Sequence, residues 1–210
     1  MNHRSADFLL ELGQLPEDCV TTLAPSFELL PPSPYADGDF RLRSFSHFLF
    51  DGVRPQRLPT KAFVQDGEIN TFQGGVERYY PEIDDAVVDS EAFAEMFRRF
   101  RAMTGMDASS PIEVHQMRIL AGRAKATEAA PEGVHQDGFR HLAVFVIERR
   151  NIRGGEIRVH TGRDEAPFVS HPFDHGEFVV LNDKRFWHSA GAMEAANDDD
   201  AYMDLFVLTA

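Results

Sequence analysis

The second half of the chain constrains the fold most. After Pro111, short β-type runs follow one another at 112–121, 141–148, 156–160, 168–173, 177–182 and 202–209. No helical period separates them. Turn residues do, among them 151–155, Thr161-Gly162 and His175-Gly176. Closely spaced short strands of this kind point to a sandwich or barrel of the jelly-roll type. The expected class is therefore mainly β with flanking helices.

The front of the chain is read as support for that barrel. Residues 1–39 are expected to form a helical arm, with a short helix over 5–12 and a second over 16–30 interrupted by Pro25. Pro31, Pro32 and Pro34 then impose an extended or turning path, because each fixes its own φ and restricts its predecessor. Residues 40–50 partly alternate and suit a strand. Gly74-Gly75 leads a loop into an extended piece over 76–80. Ser90 is an expected N-cap for a helix over 91–103, with Gly105 as its stop. Phe93, Met96, Phe97 and Phe100 recur on that helix at the spacing of a core-facing stripe. The 210 residues thus read as one domain: arm 1–39, support 40–110 and jelly-roll core 111–210.

Charge and motif content remove several functions. With 21 basic and 34 acidic residues the formal net charge is −13, which argues against nucleic acid or an anionic membrane as partner. The single cysteine, Cys19, rules out a disulfide framework or a multi-cysteine metal site and reads as a structural thiol. No run of 18 apolar residues exists and the first 15 residues lack a secretory pattern, so a cytoplasmic protein is expected. There is no G-x-G, P-loop, G-x-S-x-G or H-E-x-x-H motif. The sequence carries no signal for oligomeric state.

The informative segment is Gly133-Val134-His135-Gln136-Asp137-Gly138. Residues two apart on a strand share a face, so His135 and Asp137 can present an imidazole and a carboxylate together. Trp187-His188, after the apolar run 178–181, offers a second imidazole. Two histidines and a carboxylate leave coordination positions open, as in non-heme Fe(II) oxygenases. The competing reading makes His135 and His188 ordinary surface or loop histidines. His160, His171 and His175 lack a carboxylate at a matching strand offset and read as turn or surface residues.

A longer series of blocks, in order, carries a resemblance: Gly74-Gly75-Val76-Glu77-Arg78, residues 114–119, 131–138, 151–156 with Gly154-Gly155-Glu156, 181–188 and 202–209. From about Phe40 to Thr209 the chain resembles the bacterial 2-oxoglutarate–Fe(II) dioxygenases that include L-isoleucine 4-hydroxylase and related free-amino-acid hydroxylases. The resemblance implies a double-stranded β-helix with flanking helices. It implies His135, Asp137 and His188 as iron ligands, and Fe(II), 2-oxoglutarate and dioxygen as reactants. The substrate it implies is a small molecule, a free amino acid or close relative, hydroxylated as 2-oxoglutarate becomes succinate.

One departure stands in the last strand. The resemblance places at Met203 an arginine that anchors the distal carboxylate of 2-oxoglutarate, yet 189–210 contains no Lys or Arg. A buried carboxylate needs a charged or multiply hydrogen-bonded partner. The expected substitute is Arg118, assisted by Gln116 on the same strand face, with Arg158 and Arg185 next. Arg78 is a candidate for substrate contact. Met203 is expected to face the barrel with Leu205 and Val207, and Met203→Arg to tighten 2-oxoglutarate binding. Two rival readings are a cupin-like metal enzyme without 2-oxoglutarate, separable by succinate release, and a non-catalytic barrel, separable by iron content.

Overall fold

The structure, a computed structural model, describes residues 9–36, 38–65, 74–122 and 125–210. Its strands are β1 (Leu10–Gln14), β2 (Arg41–Phe50), β3 (Pro55–Arg57), β4 (Ile112–Leu120), β5 (Thr127–Glu128), β6 (His141–Arg150), β7 (Ile152–Gly154), β8 (Ile157–His160), β9 (Val169–His171), β10 (Glu177–Asn182), β11 (Trp187–Ala190), β12 (Ala192–Ala195) and β13 (Tyr202–Thr209). The helices are α1 (Glu17–Leu23), continued by a 3-10 turn over Ala24–Leu29, α2 (Asp85–Val88) and α3 (Glu91–Thr104). One large antiparallel sheet has the order β1-β10-β6-β13-β4-β2-β3. Two small sheets, β11-β8-β9 and β5-β12-β7, complete a double-stranded β-helix. Among the described residues no helix is long and apolar enough to cross a membrane.

The large sheet is buried on both faces, which is why β4 and β13 read as nearly continuous buried runs. Its back face carries Val114, Phe145, Phe178, Phe206 and Leu208 against the helices. The expected stripe of α3 lands there: Phe93, Met96, Phe97 and Phe100 are fully buried. Phe93 and Phe97 meet Phe48 edge-on at 5.5 Å, an arrangement that favours the ring quadrupoles. The front face carries Met117, Ile119, Met203 and Leu205 against Ile157, Val159 and Met193 of the small sheets.

The ends of α3 are where its sequence places them. Ser90 Oγ accepts the Phe93 amide at 3.1 Å, and Gly105 takes a left-handed φ of 64° while its amide donates to Arg101 O. Ser90→Ala is expected to cost about 1 kcal/mol by removing that acceptor. A drop of roughly 2–4 °C in melting temperature, read by calorimetry, would report it.

The arm departs from expectation. Leu10–Gln14 is not helical but a strand, added antiparallel to β10 with Leu10 opposite Leu181. A short helix gains little from its own hydrogen bonds, whereas the edge of β10 offers a row of backbone partners. The rest of the expected 5–12 helix lies outside the described residues except Leu9. Pro25 acts as expected: α1 stops at Leu23 and tightens into the 3-10 turn.

Candidate metal centre

His135 and Asp137 sit in a loop, not on the regular strand their spacing suggested. Positive φ angles at Gly133 (73°) and Gly138 (87°) interrupt any strand on both sides. The two residues are aligned by a single bridge: the His135 amide donates to His188 O, and the His188 amide to His135 O, both at 2.9 Å. His188 belongs to β11, whose partner is β8. Main-chain hydrogen bonds therefore bring the two imidazoles side by side, with ring centroids 4.3 Å apart and planes tilted by 57°.

The ligand atoms converge. Asp137 Oδ1 lies 3.5 Å from His135 Nε2 and Oδ2 lies 3.7 Å from His188 Nε2. One atom of each residue falls within 4.8 Å of the others, a span that one cation can bridge. Among the described residues no other group of three such side chains does this. The outer nitrogens are also occupied. His135 Nδ1 is 2.9 Å from Gly133 O, so it keeps its hydrogen and Nε2 is the nitrogen that would give up its proton to a metal. His188 Nδ1 is 3.3 Å from Asp183 Oδ1, and neither atom has a hydrogen bond elsewhere. Burial alone would lower the His135 pKa, but the Asp137 carboxylate outweighs it and holds the imidazole at about 9. Burial likewise pushes Asp137 up, yet His135, His188 and Arg43 hold it at about 2. The cluster is thus built around an ionised carboxylate.

Asp183 was missed in the sequence, although it lies in the 181–188 block. It is fully buried, and its Oδ2 accepts the amides of Asp137 (2.8 Å) and Gly138 (3.1 Å). Gln136 Nε2 donates to Asp183 O at 2.5 Å and to Phe186 O at 3.1 Å. The loop bearing two ligands is therefore fastened to the turn that precedes the third.

The triad opens into a cavity floored by the front face of the large sheet. Met203, Leu205 and Val207 line it, as their alternation predicts. Arg118 does not. Sheet register sets Asp204 opposite Arg118 and Met203 opposite Ile119, so Arg118 points to the back face. There it forms a bidentate pair with Asp204 at 2.7 and 2.8 Å, meets Glu28 at 2.9 Å and lies over the Tyr202 ring. Burial raises the Asp204 carboxyl to about 6 despite that pairing. Gln116 faces the same way and donates to Ser26 Oγ at 2.7 Å. Arg158 is 40% exposed beside Glu156, and Arg185 is exposed. The carboxylate-binding role expected for Arg118, Gln116, Arg158 and Arg185 thus has no support in their placement.

The cavity's cations come instead from Arg41, Arg43 and Arg78. Arg41 and Arg43 are two apart on β2 and so share a face. Arg41 lies in one cross-sheet row with Ile119 and Met203, and its Nη2 donates to Ala129 O at 2.5 Å. Arg43 donates to His115 Nδ1 through Nε (3.2 Å) and meets it through Nη2 (2.9 Å). Arginine only donates, so His115 presents its lone pair at Nδ1 and carries its hydrogen on Nε2. Burial, then Arg43, holds His115 well below the usual imidazole range, and it is neutral. Arg78, the residue expected to meet substrate, does reach the cavity. Its Nη2 donates to Gln65 Oε1 at 3.0 Å, and Gln65 Nε2 donates to Asp137 Oδ1 at 3.2 Å. Nothing in the sequence singled out Arg41 and Arg43, since 40–50 reads simply as a strand. His160 meets Ser189 Oγ at 3.0 Å, His171 meets Glu177 at 3.0 Å and His175 lies 3.5 Å from Glu17; none of the three joins the metal-ligand cluster.

Comparison with known proteins agrees with this geometry. The family model described as 2OG-Fe dioxygenase matches residues 24–209. A bsmA homolog from Methylobium petroleophilum PM1 superposes with a TM-score of 0.79 at 24% identity, covering 93% of this chain and 81% of its own. IDO from Bacillus thuringiensis gives 0.68 at 14% identity, with 91% and 83% covered. The Fe(II)/(alpha)ketoglutarate-dependent dioxygenase TqaL gives 0.62 at 16%, with 92% and 74% covered. Among curated proteins none matches the sequence significantly.

Proposed function

Because the chain belongs to the 2OG-Fe dioxygenase family, whose cofactors are Fe(II) and 2-oxoglutarate, we propose that it hydroxylates a free amino acid or a similar small molecule. The carrying observation is the convergence of His135, Asp137 and His188 in the lining of a largely apolar cavity that also holds arginines. His135, Asp137 and His188 hold the iron. Bound iron with 2-oxoglutarate supplies the oxidising power for C–H hydroxylation. The chain does the rest: the triad fixes the reacting centre, the wall of Met203, Leu205 and Val207 excludes water, and the arginines orient anionic groups.

Arg41 takes the distal carboxylate of 2-oxoglutarate in this reading, because it lies in the cross-sheet row of Met203 and lines the cavity. A charge-assisted hydrogen bond contributes about 1.5–3 kcal/mol, roughly ten- to a hundred-fold in affinity. Arg41→Ala is expected to weaken 2-oxoglutarate binding by about that factor, read anaerobically from the metal-to-ligand charge-transfer band. Arg118→Ala is expected to leave that affinity unchanged. A loss confined to Arg118→Ala would reverse the assignment.

The function itself is tested by incubating amino acids with Fe(II), with and without 2-oxoglutarate. The expected result is a substrate that gains one oxygen, by mass spectrometry, only with 2-oxoglutarate and with release of succinate. Oxygen insertion without 2-oxoglutarate would refute it.

A further inference from the structure

Outside the strands that carry the triad, two extended segments are joined in a narrow pair. The Phe63 amide donates to Arg78 O at 2.8 Å, and the Arg78 amide to Phe63 O at 3.0 Å. Gly75, at a φ of 74°, donates its amide to Gln65 O at 2.8 Å. Alternation sends residues inward and outward in turn: Phe63 and Arg78 are buried, whereas Val64 and Tyr79 are exposed. Gln65 follows Phe63 inward, and both line the cavity. Its side chain is a bridge, accepting from Arg78 Nη2 at 3.0 Å and donating to Asp137 Oδ1 at 3.2 Å. Chemistry fixes both ends. Arginine only donates, so Gln65 Oε1 must face Arg78; an ionised carboxylate only accepts, so Nε2 is left for Asp137. Each bond polarises the amide in the sense that strengthens the other. The bridge also spaces Arg78 from Asp137. A guanidinium paired directly with that carboxylate would compete with a metal for its oxygens. An amide steadies the carboxylate and leaves its charge for the metal.

We infer that Gln65 is a positioning residue for Asp137, and that through it the pair formed by 63–65 and 75–78 is coupled to occupancy of the metal centre. This rests on the reading of His135, Asp137 and His188 as metal ligands and adds to it a contact from a separate part of the chain. Coupling of this kind is reciprocal. Whatever factor the Gln65 contact adds to metal affinity, bound metal returns as resistance of the pair to opening.

The test reads both directions without turnover. Amide hydrogen exchange at Phe63, Gly75 and Arg78 is followed in wild-type protein, metal-free and with saturating Zn(II), a redox-inert ion that takes the same ligand types. Exchange at these amides is expected to slow about tenfold or more when Zn(II) binds, the usual size of effect for a partner of a metal ligand. Gln65→Met keeps the reach of the side chain and removes both hydrogen bonds. It is expected to lose the metal-dependent slowing and to bind Fe(II) about tenfold or more weakly, by anaerobic competition with a chelator. Its circular dichroism spectrum should match the wild type. Wild-type amides that exchange equally fast with and without bound Zn(II) overturn the inference, a comparison that needs no variant to fold. So does a folded Gln65→Met protein with wild-type Fe(II) affinity. In either case the metal centre stands. If wild-type protein retains neither Zn(II) nor Fe(II), the metal centre falls and this inference with it.

Discussion

Asp137→Ala is expected to abolish turnover and to reduce Fe(II) retention to background. The carboxylate is the only anionic member of the triad and lies within 4 Å of both imidazole Nε2 atoms. Removing it leaves two neutral ligands on a divalent cation. It also leaves His135 buried without the charge that raises its pKa, so the site loses its electrostatic centre. Metal content after anaerobic reconstitution and desalting is the direct measurement. Full occupancy in Asp137→Ala, or full activity in His188→Ala, would remove these residues from the centre. Circular dichroism should show the fold intact, because the backbone bridge between His135 and His188 does not involve the Asp137 side chain.

The second large effect is expected at Asp183. Asp183→Ala deprives the part-buried Asp137 amide and the more exposed Gly138 amide of their acceptor, and an unsatisfied donor costs up to about 1–3 kcal/mol where water cannot reach it. Asp183→Asn is the more informative change. It keeps the shape and can still accept the two amides through its carbonyl oxygen, but it turns an NH2 group toward His188 Nδ1. That nitrogen must then accept, the hydrogen moves to Nε2, and the lone pair meant for the metal is lost. Partners of this kind typically change metal affinity about 10- to 100-fold. The expected result for Asp183→Asn is therefore a loss of that size in Fe(II) affinity, by competition with a chelator, with only a small change in melting temperature. Unchanged affinity would mean that the 3.3 Å contact does not orient His188.

The metal residues were legible because their signal is local: a two-residue offset, a downstream histidine and a run of short strands. The caps of α3 were legible for the same reason. The inward direction of Met203 and outward direction of Asp204 also followed from alternation alone. What alternation does not carry is register. Arg118 and Gln116 do share a face, as expected, but which face depends on Arg118 lying opposite Asp204. The same missing information hid Arg41, which is distant in sequence from Met203 yet in its row of the sheet. Strands β5, β7 and β12, at two to four residues, are too short to show a period. β1 exists because β10 offers an open edge, which is a property of the partner.

The bridge between His135 and His188 bears on which metal the protein will accept. Ligands fastened by main-chain hydrogen bonds and by Asp183 are positioned before any ion arrives, so the chain exercises little choice through folding around it. Two imidazoles and a carboxylate also suit other divalent ions of the first transition row, and intrinsic affinities rise from iron through nickel to copper. Selection of iron therefore falls to supply in the cell and to what the open coordination positions must hold. Zinc, cobalt or nickel should load the same three side chains and yield inert protein. Preparations should accordingly differ in activity with the metal history of their growth medium, and recover when those ions are stripped and Fe(II) is returned.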